Sequence, residues 1–127
     1  MKSTTLWTAL ITPMKEDGSV DYEDLERLVY RQEKAGNGIL LIGSTGEGLA
    51  LEDSERLEIV TFVTGLDLKV PVMAGVGGFN LEAQKSWVRT CNELGTDALL
   101  LVAPLYSKPG PLGQTEWFRA LLETSEL

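Results

Sequence analysis

Gly36-Asn37-Gly38-Ile39-Leu40-Leu41-Ile42-Gly43-Ser44-Thr45-Gly46-Glu47-Gly48 carries three signals in a row. Gly36 is a natural helix stop, because glycine enters the left-handed region without a Cβ clash. Ile39–Ile42 is an unbroken apolar run, which is expected of a parallel strand covered on both faces. A glycine-rich turn with two adjacent hydroxyls then follows. The same plan returns at Leu94-Gly95-Thr96-Asp97-Ala98-Leu99-Leu100-Leu101-Val102. Gly36 and Gly95 lie 59 residues apart, the length of two βα units of roughly 30 residues each.

Outward from this stretch, short apolar runs alternate with segments of helical period. Leu6–Thr12 reads as a strand, ended by Pro13 and the turn Glu16-Asp17-Gly18-Ser19. Asp21 is the expected N-cap of a helix from about Tyr22, with Leu25, Leu28, Val29 and Ala35 on its apolar stripe. A second helix is expected over Ser54–Leu66, packing through Leu57, Val60, Phe62 and Val63. The third strand reads as Val70–Ala74, running into the turn Gly75-Val76-Gly77-Gly78. A helix near Leu81–Leu94 puts Ala83, Trp87, Val88, Cys91 and Leu94 on one face, and Gly95 ends it. A strand at Ala98–Val102, a proline-rich loop and a helix near Gln114–Glu123 complete the pattern.

Four β-α units without a hairpin signal imply one α/β unit over residues 1–127, with parallel strands and helical crossovers. Two architectures fit. One is a flavodoxin-like open sheet, and the other is a (β/α)4 half of a TIM (β/α)8 barrel, whose usual size is ~250 residues. Both place chemistry where strand C-termini run into loops.

Composition narrows that chemistry. The 127 residues include no histidine, which removes imidazole triads, proton shuttles and metal ligands. One cysteine, Cys91, excludes an intrachain disulfide and multi-cysteine zinc sites, and its place on the Trp87 stripe suggests an inert buried thiol. A net charge of −8 without a basic cluster argues against nucleic-acid or anionic-membrane partners. The N-terminus has no signal-peptide pattern and no apolar run approaches the ~20 residues of a membrane span, so a cytoplasmic setting is expected.

In the turn Gly43–Glu47, hydroxyls and backbone N–H groups suit a carboxylate, donating to an anion without a full positive charge. The same residues would equally suit a turn whose hydroxyls cap the next helix. The Gly-Lys-Ser/Thr ending of a phosphate-binding loop is absent, and Asn80 breaks any dinucleotide fingerprint at Gly75–Gly78. Tyr106, among prolines, reads first as a packing residue; the alternatives are a rigidly held proton carrier or a side chain that reaches into a partner subunit. Glu52, Asp53, Glu55 and Arg56 read as a helix first turn, and Trp87, Trp117 and Phe118 as core or interface.

Four segments in register then resemble the dihydrodipicolinate synthase/N-acetylneuraminate lyase family. They are Ala9-Leu10-Ile11-Thr12-Pro13, Gly43-Ser44-Thr45-Gly46-Glu47, Val70-Pro71-Val72-Met73-Ala74-Gly75-Val76-Gly77, and Pro104-Leu105-Tyr106-Ser107-Lys108-Pro109 followed by Gly113. The resemblance implies the barrel rather than the flavodoxin-like sheet. It also implies class I aldolase chemistry, in which pyruvate forms a Schiff base with a lysine, becomes an enamine and attacks an aldehyde. In the synthase branch the aldehyde is aspartate 4-semialdehyde, on the route to diaminopimelate and lysine.

By that resemblance Ser44 is the hydroxyl of a proton relay, Thr45 and Gly46 hold the pyruvate carboxylate, and Tyr106 is a relay tyrosine supplied across a dimer interface. No cofactor or metal is implied, and a hydroxyl chain moves protons without histidine. Ser44 departs from the Thr-Thr pair commoner in the synthases and is closer to the sialate lyase pattern. The Tyr106–Pro109 loop with Gly113 resembles the synthases, which is the favoured branch over N-acetylneuraminate lyase or another pyruvate aldolase. Gly48, Leu49, Asp53, Arg56, Phe79 and Ala83 stand at the family's lysine-inhibition site and lack its polar pattern, so insensitivity to lysine is expected.

The family's Schiff-base lysine follows strand six, and a second relay tyrosine follows strand five, both beyond four βα units. Of the lysines at 2, 15, 34, 69, 85 and 108, only Lys15 and Lys108 fall in loops on the catalytic side. The expectation is therefore a piece resembling a lyase, inactive alone, with its apolar strand face and outer strands uncovered. It would be a shortened lyase, one of two complementary half-barrels, or a non-catalytic half-barrel module that self-associates.

Overall fold

The computed structural model describes residues 4–127. Eight elements alternate strictly: β1 (Trp7–Ala9), α1 (Tyr22–Ala35), β2 (Gly38–Leu41), α2 (Asp53–Thr64), β3 (Val72–Val76), α3 (Leu81–Glu93), β4 (Ala98–Leu101) and α4 (Pro111–Leu122). All strand pairs are parallel, and the sheet order is β1-β2-β3-β4. A flavodoxin-like sheet reverses its strand order at a switch point and carries helices on both faces. Here the order never reverses, and the helices share one face. The sheet is an arc of a (β/α)8 barrel.

Local chemistry explains the helix ends. The Asp21 carboxylate accepts from the Asp24 N–H at 3.0 Å, and Gly36 closes α1 at φ 74°. Asn80 caps α3 by accepting from the Ala83 N–H, and Gly95 follows that helix at φ 76°. Glu52 and Glu55 form a reciprocal capping box at the start of α2.

The strand register sorts the side chains. Ile39, Leu41, Val72, Ala74 and Val76 point toward the helices and are almost fully buried with Leu25, Val29, Val60, Val63, Val88 and Cys91. Each such large aliphatic side chain contributes about 1.5–3 kcal/mol of burial. Trp7, Ala9, Leu40, Met73, Ala98 and Leu100 alternate onto the other face, where no helix lies. Leu100 is 40 % exposed there. β2 itself has no exposed residue: Gly38, Ile39 and Leu41 are buried and Leu40 is half-buried. Its second apolar face lies on the concave side of the arc, which a closed barrel fills with side chains.

Other boundaries shift for identifiable reasons. β3 runs over 72–76 rather than 70–74, because Pro71 has no N–H for the ladder and only accepts, from the Ile39 N–H at 3.0 Å. Gly75 and Val76 therefore belong to the strand. α4 starts at Pro111, a residue suited to a helix first turn, where no N–H is required. In α2 the buried residue is Ile59, whereas Leu57 is 42 % exposed. In α3 Gln84 is buried in place of Ala83. β1 is only three residues long.

Candidate active site at the strand ends

The chain leaves β2 through a backbone outlier. Ile42 is buried yet has φ 50°, a left-handed conformation that costs a β-branched residue about 1–3 kcal/mol. Its carbonyl is wedged between two glycines. A Cβ on Gly48 would overlap the Ile42 oxygen, and one on Gly75 would stand 2.6 Å from it. The Gly48 N–H donates to the Gly43 carbonyl at 3.1 Å and the Glu47 N–H to the Ser44 carbonyl at 3.2 Å. The resulting turn sends Gly46 and Gly48 inward and leaves Ser44 and Thr45 exposed at the rim.

The donors of this turn are uncommitted. Among the described residues, neither the Ser44 and Thr45 hydroxyls nor the Thr45 and Gly46 amides donate to any protein group. They do not cap a helix: α2 begins at Asp53 and is capped by Glu52 and Glu55. Two hydroxyls and adjacent free amides at a strand end form an anion-binding concavity. The loop after β1 braces it from below, where the Thr12 hydroxyl donates to the Gly46 carbonyl at 2.7 Å.

A cavity of about 150 Å³ opens beside the turn, walled by Ser44, Arg56, Gly75, Val76, Leu100 and Leu105. Thr45 stands outside its wall. Arg56 brings the one cation of that wall. Its side chain is 18 % exposed, paired with Asp53, and its guanidinium lies 5.5 Å from the Trp87 ring centroid. The Trp87 indole N–H in turn donates to the Gly75 carbonyl at 3.0 Å, and the Trp117 N–H to the Val102 carbonyl at 2.9 Å. Both tryptophans are posts that hold strand ends, as their helical stripes suggest. The sequence marks Arg56 as a first-turn charge and a lysine-site position, and Thr12 as part of a family segment, but it shows neither the place of Arg56 in the cavity wall nor the bond from Thr12 to Gly46.

Tyr106 is 97 % exposed with φ 63°, in the loop after β4. The packing alternative for this residue fails within the chain, and Tyr106 does not line the cavity. Lys15 and Lys108 are exposed in the loops after β1 and β4, and Lys108 also has a positive φ of 43°. Burial pushes the Cys91 thiol up to about 12, outweighing the opposite pull of Arg56, and keeps it an unreactive core group. Of the positions at the expected lysine-inhibition site, Leu49 and Phe79 are 62 % and 76 % exposed, and Asp53 is engaged by Arg56. Among the described residues no group of three acidic, cysteine or histidine side chains could hold a metal, and no helix is long and apolar enough to cross a membrane.

Residues 2–127 match the model of the dihydrodipicolinate synthetase family. The chain is 51 % identical over 121 residues to the 4-hydroxy-tetrahydrodipicolinate synthase of Francisella philomiragia, covering 95 % of this chain and 41 % of that protein. It superimposes with a TM-score of 0.92 on the crystal structure of a dihydrodipicolinate synthase from Bacillus anthracis, 34 % identical, covering 97 % of this chain and 43 % of that one. A prophage protein of the dihydrodipicolinic acid synthase family from E. coli K12, solved in complex with pyruvate, aligns with a TM-score of 0.91 at 27 % identity over 96 % of this chain and 42 % of that one. The chain spans about two fifths of the length of the curated relatives it matches. Matched along nearly its whole length in sequence and in fold, the chain belongs to the dihydrodipicolinate synthetase family.

Proposed function

We propose that this chain supplies the pyruvate-carboxylate half of a 4-hydroxy-tetrahydrodipicolinate synthase site, in a lyase that condenses pyruvate with aspartate 4-semialdehyde. One observation carries this reading. The Ser44 and Thr45 hydroxyls and the Thr45 and Gly46 amides are free donors, at the C-terminal end of a barrel strand, with no helix to cap. Thr45 and Gly46 hold the carboxylate through neutral donors, and the nearby Arg56 biases the cavity toward anions in a chain of net charge −8.

Ser44 passes a proton between the substrate carbonyl oxygen and a tyrosine hydroxyl. Tyr106, almost wholly in solvent, serves as that tyrosine in the site of a neighbouring copy, which makes the working enzyme a homo-oligomer. No cofactor is needed. The covalent step joins a lysine amine to the pyruvate ketone with loss of water. The lysine comes from the part of the barrel that the longer relatives carry beyond their match to this chain, because Lys15 and Lys108 are exposed surface groups. These 127 residues are inactive alone, the enzyme is cytoplasmic, and exposed Leu49 and Phe79 give no polar cradle for inhibitory lysine. Relatives named as synthases favour this reading over N-acetylneuraminate lyase chemistry and over a non-catalytic half-barrel module.

Trapping tests it: treat the intact protein with pyruvate and borohydride, then map the adduct by mass spectrometry. A reduced pyruvyl adduct on a lysine outside these 127 residues is expected. An adduct on Lys15 or Lys108 overturns the lysine assignment, and no adduct at all overturns the function.

A further inference from the structure

We infer that Thr12 is a positioning residue that sets the conformation of the anion-binding turn from a different βα unit; its effect on substrate rests on the function proposed above. The Thr12 hydroxyl is buried and donates to the Gly46 carbonyl at 2.7 Å, across 34 residues of sequence. The Gly46–Glu47 peptide is thereby held at both ends, its oxygen by Thr12 and its N–H by the Ser44 carbonyl at 3.2 Å.

Gly46 needs such a hold. A Cβ there would stand 3.0 Å from the Leu10 carbonyl and 3.2 Å from Thr12 Oγ1, so glycine lets the turn pack tightly on the β1 loop. Glycine also leaves that peptide the freest of the turn to rotate. Rotation would break the Glu47 N–H bond to the Ser44 carbonyl that closes the turn, loosening the backbone that carries the Thr45 and Gly46 amides, and would orphan a buried carbonyl. Thr12 is itself fixed on both sides. The Leu10 N–H donates to the Leu40 carbonyl at 3.0 Å, and the Asp21 N–H to the Pro13 carbonyl at 2.8 Å. The β1 loop is therefore a rigid bracket, and among the described residues the Thr12 hydroxyl makes its one hydrogen bond to the turn. Thr12 acts on substrate only through Gly46.

The test compares Thr12→Val with Thr12→Ser in the intact protein, reading amide hydrogen exchange over residues 43–48 and the dissociation constant for pyruvate. Thr12→Val is expected to speed exchange and weaken pyruvate about tenfold. Thr12→Ser, which keeps the hydroxyl, is expected to stay within about twofold of the parent in both readouts. Should the valine variant not fold, Thr12→Ser and Thr12→Ala make the same comparison, because they differ only in the hydroxyl. Parent-like behaviour of Thr12→Val overturns the inference, and so does a Thr12→Ser variant as impaired as Thr12→Ala. If the parent binds no pyruvate the proposed function falls, while the exchange comparison still decides whether Thr12 holds the turn.

Discussion

The carbonyl oxygen of Ile42 presses on the α-carbon of Gly48 so closely that no Cβ fits between them. Gly75 closes the other side, with room for a Cβ only 2.6 Å from the same oxygen. Backbone cannot swing aside as a flexible side chain can, so Gly48→Ala and Gly75→Ala are each expected to lower stability by about 1–3 kcal/mol. Gly43→Ala is the control. Its Cβ would meet only the Leu40 side chain, at 3.5 Å, and should change stability by less than about 1 kcal/mol. Urea unfolding of the three variants checks the ranking.

Trp87 ties α3 to the end of β3 through its indole N–H and the Gly75 carbonyl. Trp87→Phe keeps most of the packing and removes the donor. A loss of about 1–2 kcal/mol is expected in urea unfolding, larger than for a surface aromatic, because the Gly75 carbonyl is left without a partner.

Alkaline pH should destabilise the fold through Cys91. Burial raises the folded thiol to about 12, from an ordinary 9.0. Below pH 9 both states hold the proton and the full contribution is present. Above it the unfolded chain loses the proton first, and stability falls by about 1.4 kcal/mol per pH unit until the folded thiol also ionises. Tyr22, pushed up to about 12 mainly by burial and secondly by its hydrogen bond to Glu58, adds the same sign above pH 10. The interval from 9 to 10 therefore isolates Cys91. Cys91→Ala should flatten the stability profile there, measured as urea midpoints across that range.

The alternating elements were legible because their signals are local. Asp21 caps by its own side chain, Gly36 and Gly95 take the left-handed conformation their positions demand, and unbroken apolar runs mark the strands. Tertiary effects were not legible. Nothing in Ile42 announces a positive φ, since a β-branched residue disfavours it and only the Gly48 and Gly75 contacts enforce it. Leu57 and Ile59 are equally apolar in sequence but lie on opposite faces of α2, and only the packing of that helix decides which face is buried. The start of α2 was legible from Glu52, Asp53 and Glu55, but the free donors of Ser44 and Thr45 were not, because they depend on how the Gly43–Gly48 turn closes its own hydrogen bonds. Which face of β2 meets the helices was hidden for a related reason: a barrel interior and a helix-covered face demand the same residues.

The concave face of the arc has a consequence for the 127 residues on their own. Half-buried Leu40 and Met73 and exposed Leu100 lie on it, and among the described residues β1 and β4 each pair on one side only. The 127-residue chain should self-associate at micromolar concentration, and Leu100→Lys should shift it toward monomer without loss of helix content. Sedimentation velocity alongside circular dichroism reads both.

Pyruvate titration of the isotopically labelled intact protein, followed by backbone amide NMR, asks directly whether the Gly43–Glu47 turn is the carboxylate site. Saturable shifts centred on the Thr45 and Gly46 amides are expected, weakened at least about tenfold by Thr45→Val. Pyruvate binding that leaves those amides unshifted, or that Thr45→Val does not weaken, would contradict the assignment.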